Sequence, residues 1–372
     1  MMPSVVLVTG VGRFLGARVA AVLAREPDVG RVIGVDADAP WVGGKAGGPG
    51  GFPSTAEFVE ADPGDARVAR LVAEAGVDTV VHASVGSEPP GDSRSTRGNN
   101  VVSTLRLLAA CQRSAVRRLV VRSTTAVYGS TSCDPALFVE EDTETDLPPY
   151  GGPARDAVDI EAHVRAFARH RPDVSVLVLR MANLVGPSVP SPLTRYLRPP
   201  VVPTMLGFDP RLQFLHEQDA VEVLRLAARS GGTFAPDVVD RPGSAASGFR
   251  ADQRHRTVNV AGPGVLLLSQ AIRRAGRVPL PVPGLAGPVG NALAGLVGLH
   301  PEQAGLFTLG GIADTTRLRE EFGYQPRRSG VQAFDEFVRR QLSDTVSRAV
   351  ASATGWAAGH LSVGEPRRSP GG

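Results

Sequence analysis

Four residues near the start of the chain have the types and spacing to hold a phosphorylated ligand. Gly10, Gly12 and Gly16 lie in VVLVTGVGRFLG, a run that passes from a β-branched strand pattern into a helical one. At such a junction backbone N–H groups and the positive end of the helix dipole can hold a pyrophosphate. Asp36 ends the second β-branched run, VIGVDA, 20 residues after Gly16, where a carboxylate can accept from an adenosine ribose hydroxyl. Together they predict a dinucleotide site, the alternative being a tight turn without a ligand.

Those residues need a particular scaffold. The first 180 or so residues alternate short apolar runs with helical patterns, the signature of βαβ units and a parallel sheet. The strand candidates are Val5–Thr9, Arg31–Asp36, Glu57–Asp62, Asp78–Ser84, Arg118–Ser123 and Val174–Arg180. Leu15, Val19, Val22 and Leu23 share one helical stripe, and so do Ala157, Ile160, Val164 and Phe167. The fold class expected is therefore α/β, a Rossmann-type doubly wound parallel sheet with a smaller C-terminal substrate lobe. Residues 1–185 would form the nucleotide domain, completed by about 212–230 and 256–262; 186–211 and 263–342 would form the lobe, and 343–372 a tail. In the second half, helices are suggested at Asp219–Ser230, Ser269–Ala275, Asp314–Phe322 and Val331–Leu342. The stretches 40–53, 236–256 and the tail read as flexible, and there is no internal repeat.

Composition narrows the class of protein. Two cysteines, Cys111 and Cys133, supply neither a disulfide framework nor a metal cluster, so no metal is expected. MMPS runs directly into VVLVTG without a basic leader, which fits a cytoplasmic protein. The apolar stretch 278–299 is broken by prolines and glycines, so no membrane is expected as a partner. A net charge of +3 without a dense basic block argues against nucleic acid. Lys45 is the only lysine, every other basic residue being arginine.

The ordered motifs resemble the extended short-chain dehydrogenase/reductase family of nucleotide-sugar epimerases and dehydratases. Thr9, Gly10, Phe14, Leu15 and Gly16 match its opening T-G-x-x-G-F-[IL]-G, with Arg13 where a glycine is usual and Gly12 one place early. EADPGD at 60–65 places Asp62 and Pro63 beside the adenine, and VVHAS at 80–84 places His82, Ala83 and Ser84 beside the cofactor. Asn100 begins an N-V-x-G-T-like helix, with Ser103 replacing its glycine. STTAVYG at 123–129, LRMANLVGP at 179–187, FLHEQDAVEVL at 214–224 and DTTRLREEFGYQP at 314–326 continue the likeness. It spans about residues 5–330. It implies NAD as cofactor, since Asp36 would repel a 2′-phosphate, while Arg13 keeps NADP open. It also implies a small-molecule substrate, a nucleotide sugar, held by Asn183, by Arg211 one place before the family's diphosphate arginine, and by His216. A homodimer is one assembly such a chain could form.

The resemblance also assigns catalysis, and there the chain departs from it. The family uses a Tyr-x-x-x-Lys pair, in which the lysine lowers the tyrosine's pKa so that it works as a base. Lys45 stands in a Gly-rich loop after the second strand, so no lysine can occupy that place. Aligned by its helix, PPYGGPARDAVDIEAHV sets Arg155 at the lysine position, with Tyr150 one residue too early for the tyrosine position. Thr124 takes the catalytic hydroxyl position and Arg155 can also contact the nicotinamide ribose. Bland alternatives stand beside these assignments. Asp62, Asp219 and Asp314 can be helix caps, His82 and His216 packed histidines, and Tyr128 and Asn183 buried hydrogen-bonding groups. Three functions follow in order: a nucleotide-sugar epimerase working by transient hydride transfer, a non-redox NAD(P)-binding structural or sensor protein, and an NAD(P)H-dependent carbonyl reductase.

Overall fold

The run Val5–Val8 has no polar alternation, so both its faces can be covered only inside a sheet that carries helices on each side. The computed structural model describes residues 4–42, 51–84, 97–128, 138–139, 152–189, 193, 196–197, 199–229, 255–282 and 312–340. Along the chain come β1 (Ser4–Thr9), α1 (Phe14–Leu23), β2 (Val29–Asp36), β3 (Glu57–Glu60), α2 (Ala66–Glu74), β4 (Thr79–His82) and α3 (Arg97–Gln112). Then follow β5 (Arg118–Thr124), a 3-10 turn (Thr125–Tyr128), β6 (Phe138–Val139), α4 (Gly152–His170), β7 (Ser175–Met181) and β8 (Asn183–Val185). Next are β9 (Val201–Met205), β10 (Arg211–Leu212), β11 (Phe214–His216), α5 (Glu217–Arg229), β12 (His255–Val260), β13 (Leu266–Leu267) and α6 (Leu268–Arg274). The described residues end with β14 (Val278–Val282), β15 (Ile312–Ala313), α7 (Thr316–Glu320) and a helix over 330–340, here α8.

Seven strands form one parallel sheet in the order β12-β7-β5-β4-β1-β2-β3, with β1 at the point where the winding reverses. In sheets of this kind ligands bind at the carboxyl ends of the strands flanking the reversal, here β1 and β4. One face is covered by α1 and α5 through Phe14, Leu15, Val19, Leu23, Val223 and Leu224. The other is covered by α2, α3 and α4 through Val68, Val72, Leu107, Ile160 and Val164. At the lower edge of the first face Arg225 reaches Glu26 and Glu222, both at 2.7 Å. Arg229 reaches Glu26 at 2.7 Å and Asp28 at 3.0 Å. These pairs tie α5 to the turn after α1. A separate apolar core holds Leu197, Val202, Phe214, Ile272, Phe334 and Phe337 together, Phe214 and Phe334 stacking at 5.2 Å between ring centroids.

Several boundaries differ from the sequence reading for local reasons. The strand expected to run to Asp62 stops at Glu60, because the Asp62 carboxylate accepts from Gly64 N–H (2.7 Å) and turns the chain. The strand expected from Asp78 starts at Thr79, since the Asp78 side chain accepts from Val5 N–H (2.8 Å). The helix expected from Asp314 to Phe322 shrinks to α7, with Asp314 accepting from Thr316 N–H (2.7 Å) at its start. Lys45, Cys133, Tyr150 and residues 283–299 lie outside the described residues, as do most of the stretches read as flexible.

Helix α1 meets the end of β1 at glycine. A Cβ on Gly16 would fall 2.2 Å from the carbonyl oxygen of Gly10, which has a φ of +79°. By contrast, Gly76 has a φ of +63° and open space around it. Gly16→Ala is therefore expected to cost about 3 kcal/mol through overpacking against rigid backbone. Gly76→Ala should cost about 1 kcal/mol through its left-handed backbone alone. Thermal denaturation of both variants checks the order: a Gly16→Ala melting temperature no lower than that of Gly76→Ala would contradict this packing.

Candidate functional site

The glycine turn and Asp36 converge at the reversal point. Gly12 N–H donates to Asp36 Oδ2 (2.8 Å) and Asp38 N–H to Asp36 Oδ1 (3.0 Å), so the carboxylate is fixed at the mouth of the turn. Burial pushes the Asp36 pKa up, and the two N–H donors and Arg13 oppose that shift. Arg13 occupies the N-cap position of α1 without capping it. Its guanidinium lies 3.9 Å from Asp38 and its pKa is lowered, chiefly by burial, against the pull of Asp36 and Asp38. The first turn of α1 contains no acidic residue and no side-chain cap. Its N–H groups, those of Phe14, Leu15 and Gly16, thus keep the positive helix end available to an external anion. This arrangement fits a dinucleotide whose pyrophosphate meets α1 and whose ribose meets Asp36. Trp41 packs edge-on against Phe14 at 5.1 Å and closes the side of the turn.

His82, at the end of β4, is buried inside this crevice wall. Thr104 donates its hydroxyl proton to Asn100 O (2.7 Å), so toward His82 Nε2 (2.8 Å) it can only accept. The proton is therefore on Nε2, and Nδ1 accepts from Thr9 Oγ1 (2.7 Å), with Ser84 Oγ at 3.3 Å. Burial lowers its pKa to about 4, so the ring is neutral and acts as a rivet between β1, β4 and α3. Ala83 is buried beside it, while Ser84 and Asn100 are partly accessible. Asp62 and Pro63 form the half-buried turn before α2. The cap of that helix is Asp65, which accepts from Arg67 N–H (2.8 Å).

Thr124 closes β5, and its Oγ1 accepts from Ala126 N–H (3.2 Å), which leaves the hydroxyl proton for another partner. Next to it lies a polar network that the sequence motifs did not reveal. Ser123 Oγ donates to Glu161 Oε1 (2.5 Å), and Arg180 grips Glu161 through Nε and Nη2, the shortest contact being 2.6 Å. Arg180 Nη1 also donates to Tyr128 OH (2.9 Å), which donates to Asn259 Oδ1 (2.6 Å). Burial would lower the Arg180 pKa, but Glu161 outweighs it and the net shift is upward. Breaking one side of such a pair leaves an uncompensated buried charge, a loss of about 3–5 kcal/mol. The signal was present in the sequence: Glu161 stands on the apolar stripe of Ala157, Ile160 and Val164.

Arg155 takes the opposite side of α4. Its side chain is 47% exposed and lies 3.5 Å from Asp159, one turn on. Tyr150 falls outside the described residues. Asn183, in β8, reaches Gln213 O (3.4 Å), and Arg211 is exposed on β10. His216 is fully buried, with Nδ1 accepting from Gln218 N–H (3.1 Å) and Nε2 lying 3.3 Å from Glu336 on α8. Its pKa is lowered, by burial first and by Arg328 second. Asp219 is no cap: it accepts from Tyr324 OH (2.6 Å) and Arg327 N–H (2.9 Å), pinning the segment before α8. Glu217, unanticipated, accepts from Ser188 and Val189 N–H (2.8 and 2.9 Å) and holds the loop that follows β8.

Known proteins place this geometry in context. Residues 6–238 match the model of the NAD dependent epimerase/dehydratase family. An uncharacterised protein of Mycobacterium tuberculosis is 42% identical over 350 residues, covering 91% of this chain and 84% of the relative. A probable UDP-arabinose 4-epimerase of Oryza sativa is 32% identical over 139 residues, 36% of this chain and 33% of the relative. Among solved structures, a UDP-galactose 4-epimerase superposes with a TM-score of 0.63 at 18% identity, over 91% of this chain and 99% of the other. MoeE5 in complex with UDP-glucose and NAD gives 0.62 at 20% identity, over 92% of this chain and 99% of the other. These superpositions establish a shared fold.

The neutral, buried His82 makes stability depend on pH. Its folded pKa lies below the unfolded value of about 6.5, so the unfolded state binds the extra proton between about pH 6.5 and 4. The contribution is present above that window and lost as pH falls through it, by about 3 kcal/mol at most. Denaturant unfolding at stepped pH should show the parent losing stability relative to His82→Gln across this range. Parallel curves for the two proteins would refute a buried neutral imidazole.

Proposed function

The chain belongs to the NAD-dependent epimerase/dehydratase family, and on that premise we propose that it binds NAD and acts on a nucleotide sugar by transient hydride transfer. The observation that carries the proposal is the joint geometry of the uncapped α1 terminus and the Asp36 carboxylate fixed by Gly12 N–H. The N–H groups at α1 would hold the pyrophosphate, and Asp36 would accept from the adenosine ribose. MoeE5, which shares this fold and is crystallised in complex with UDP-glucose and NAD, supports the choice of ligands. Bound there, NAD would supply a hydride acceptor that later returns the hydride to the sugar. The Thr124 hydroxyl, its oxygen already engaged by Ala126 N–H, would donate toward a sugar oxygen. Tyr150 would move the proton of that oxygen, and Asn183 and Arg211 would line the sugar-nucleotide side, with the buried His216 packed behind them. Arg13 beside Asp36 and Asp38 leaves NADP as a weaker ligand of the same cleft.

A second function is favoured by one observation. Lys45 is the only lysine, so the lysine of the family's pair has no counterpart on α4, where Arg155 takes its aligned place. In this alternative the dinucleotide is a structural or sensed ligand and no hydride moves.

Two measurements separate these functions. Calorimetric titration should give saturable NAD binding that weakens at least tenfold in Asp36→Ala, as loss of a charge-assisted hydrogen bond requires. The same variant should gain in its ratio of NADP to NAD affinity. The parent protein incubated with UDP-glucose or UDP-galactose should accumulate bound NADH absorbance and interconvert the sugars, and Thr124→Val should slow this about a hundredfold. NAD binding without turnover on any sugar nucleotide, and without NADH consumption on a panel of ketones, would favour the second function. Absence of NAD binding would defeat both.

A further inference from the structure

Five of the eight exposed large apolar side chains among the described residues fall on or next to β9 and β14. β9 and β14 pair in parallel as a two-stranded ribbon, with Val201 opposite Val278 and Pro203 opposite Leu280. Val201, Val278 and Leu280 are exposed on the ribbon, and Leu206 and Phe208 extend the patch beyond β9, all five between 40% and 62% accessible. Scattered apolar residues need no explanation, but a contiguous group of this kind marks an interaction surface.

The ribbon's outer edge limits what can cover it. Val278 N–H donates to Pro200 O (3.0 Å) and Val282 O accepts from Leu206 N–H (3.2 Å), so the even-numbered residues of β14 are bonded toward β9. Alternate residues of a strand direct their N–H groups to opposite sides, so the outward positions are Pro279 and Pro281. Neither has an N–H. A partner strand would find no donors along this edge. For the same reason the edge carries no N–H that an apolar medium would leave unsatisfied. Its remaining carbonyls suit a boundary where water is still present.

Among the described residues, charge around the patch is unequal. Arg273 and Arg274 end α6 just before the ribbon, Arg277 adjoins it with Nε on Leu197 O (3.2 Å), and Arg211 is exposed on β10. Against these four arginines stand Asp209, which caps α6 through Ser269 N–H (2.9 Å), and Asp335, which pairs with Arg274 (2.9 Å). Apolar side chains rimmed by a net positive charge match an anionic lipid surface.

We propose that the β9–β14 ribbon docks the lobe peripherally on an anionic bilayer, with Val201, Leu206, Phe208, Val278 and Leu280 entering the boundary region and the arginines facing lipid phosphates. No spanning helix is involved; among the described residues none is long and apolar enough to cross a membrane. The test floats the full-length chain with vesicles of phosphatidylcholine, or of equal phosphatidylcholine and phosphatidylglycerol, at low and high salt. Expected are recovery with the anionic vesicles only, loss of recovery at high salt, and at least a tenfold fall for the double variant Val278→Glu, Leu280→Glu. Since both positions are exposed, its melting temperature should match the parent's. A second pair, Leu206→Glu with Phe208→Glu, lies beyond the end of β9 and should behave alike. Failure of the parent to float with anionic vesicles, or unchanged flotation of both double variants, would overturn the proposal. So would a parent dimer in sedimentation that the first double variant dissociates while no protein floats, because the ribbon would then serve a second copy.

Discussion

The close approach of the first turn of α1 to the carboxyl end of β1 is the constraint on which the site depends. A helix can rest on that strand end only where side chains are missing, and Gly16 lies so near the Gly10 carbonyl that no Cβ fits between them. The same approach delivers the N–H groups of α1 to the reversal point of the sheet and sets Gly12 N–H against Asp36. A Cβ on Gly12 would in turn meet the Asp36 carboxylate at 2.9 Å. The N–H groups of α1 and the Asp36 carboxylate are thus positioned by one packing contact, and neither can shift without the other.

Across the crevice a different principle governs. The wall at β5, β7 and β12 is stiffened by buried polar groups whose bonds are mutually satisfied: Ser123, Glu161, Arg180, Tyr128 and Asn259. Such a network holds one geometry because any rearrangement strands a buried charge. It also fixes the rotation of α4 about its axis. Residues 155 and 161 are six apart, which at 3.6 residues per turn cannot bring both to one face. With Glu161 turned inward, Arg155 is left half exposed.

The sequence made the parallel sheet, its helices and the glycine–aspartate constellation legible because each follows from local pattern. Apolar runs without alternation specify covered strands, and glycine followed by an apolar helical stripe specifies the turn. What remained hidden depends on contacts between distant segments. His82 could be read as packed or as catalytic until Thr9 and Thr104 were seen to occupy both ring nitrogens. Asp219 looked like a helix cap, but its partners, Tyr324 and the backbone of Arg327, lie more than a hundred residues away. The rotation of α4 is likewise decided by a distant contact, that of Glu161 with Ser123. Glu161 itself went unread in the sequence, although a charge on an apolar stripe was the signal for it.

The ion pairs that fasten α5 to the turn after α1 are made by Arg225 and Arg229, in a chain with a single lysine. A lysine ammonium begins to discharge near pH 10, whereas guanidinium stays cationic beyond pH 12. These fastenings therefore persist in alkali that would release lysine-based ones. The corollary is chemical austerity: a molecule so provisioned has almost no side-chain amine to offer as a nucleophile or as an acceptor of acyl and methyl groups.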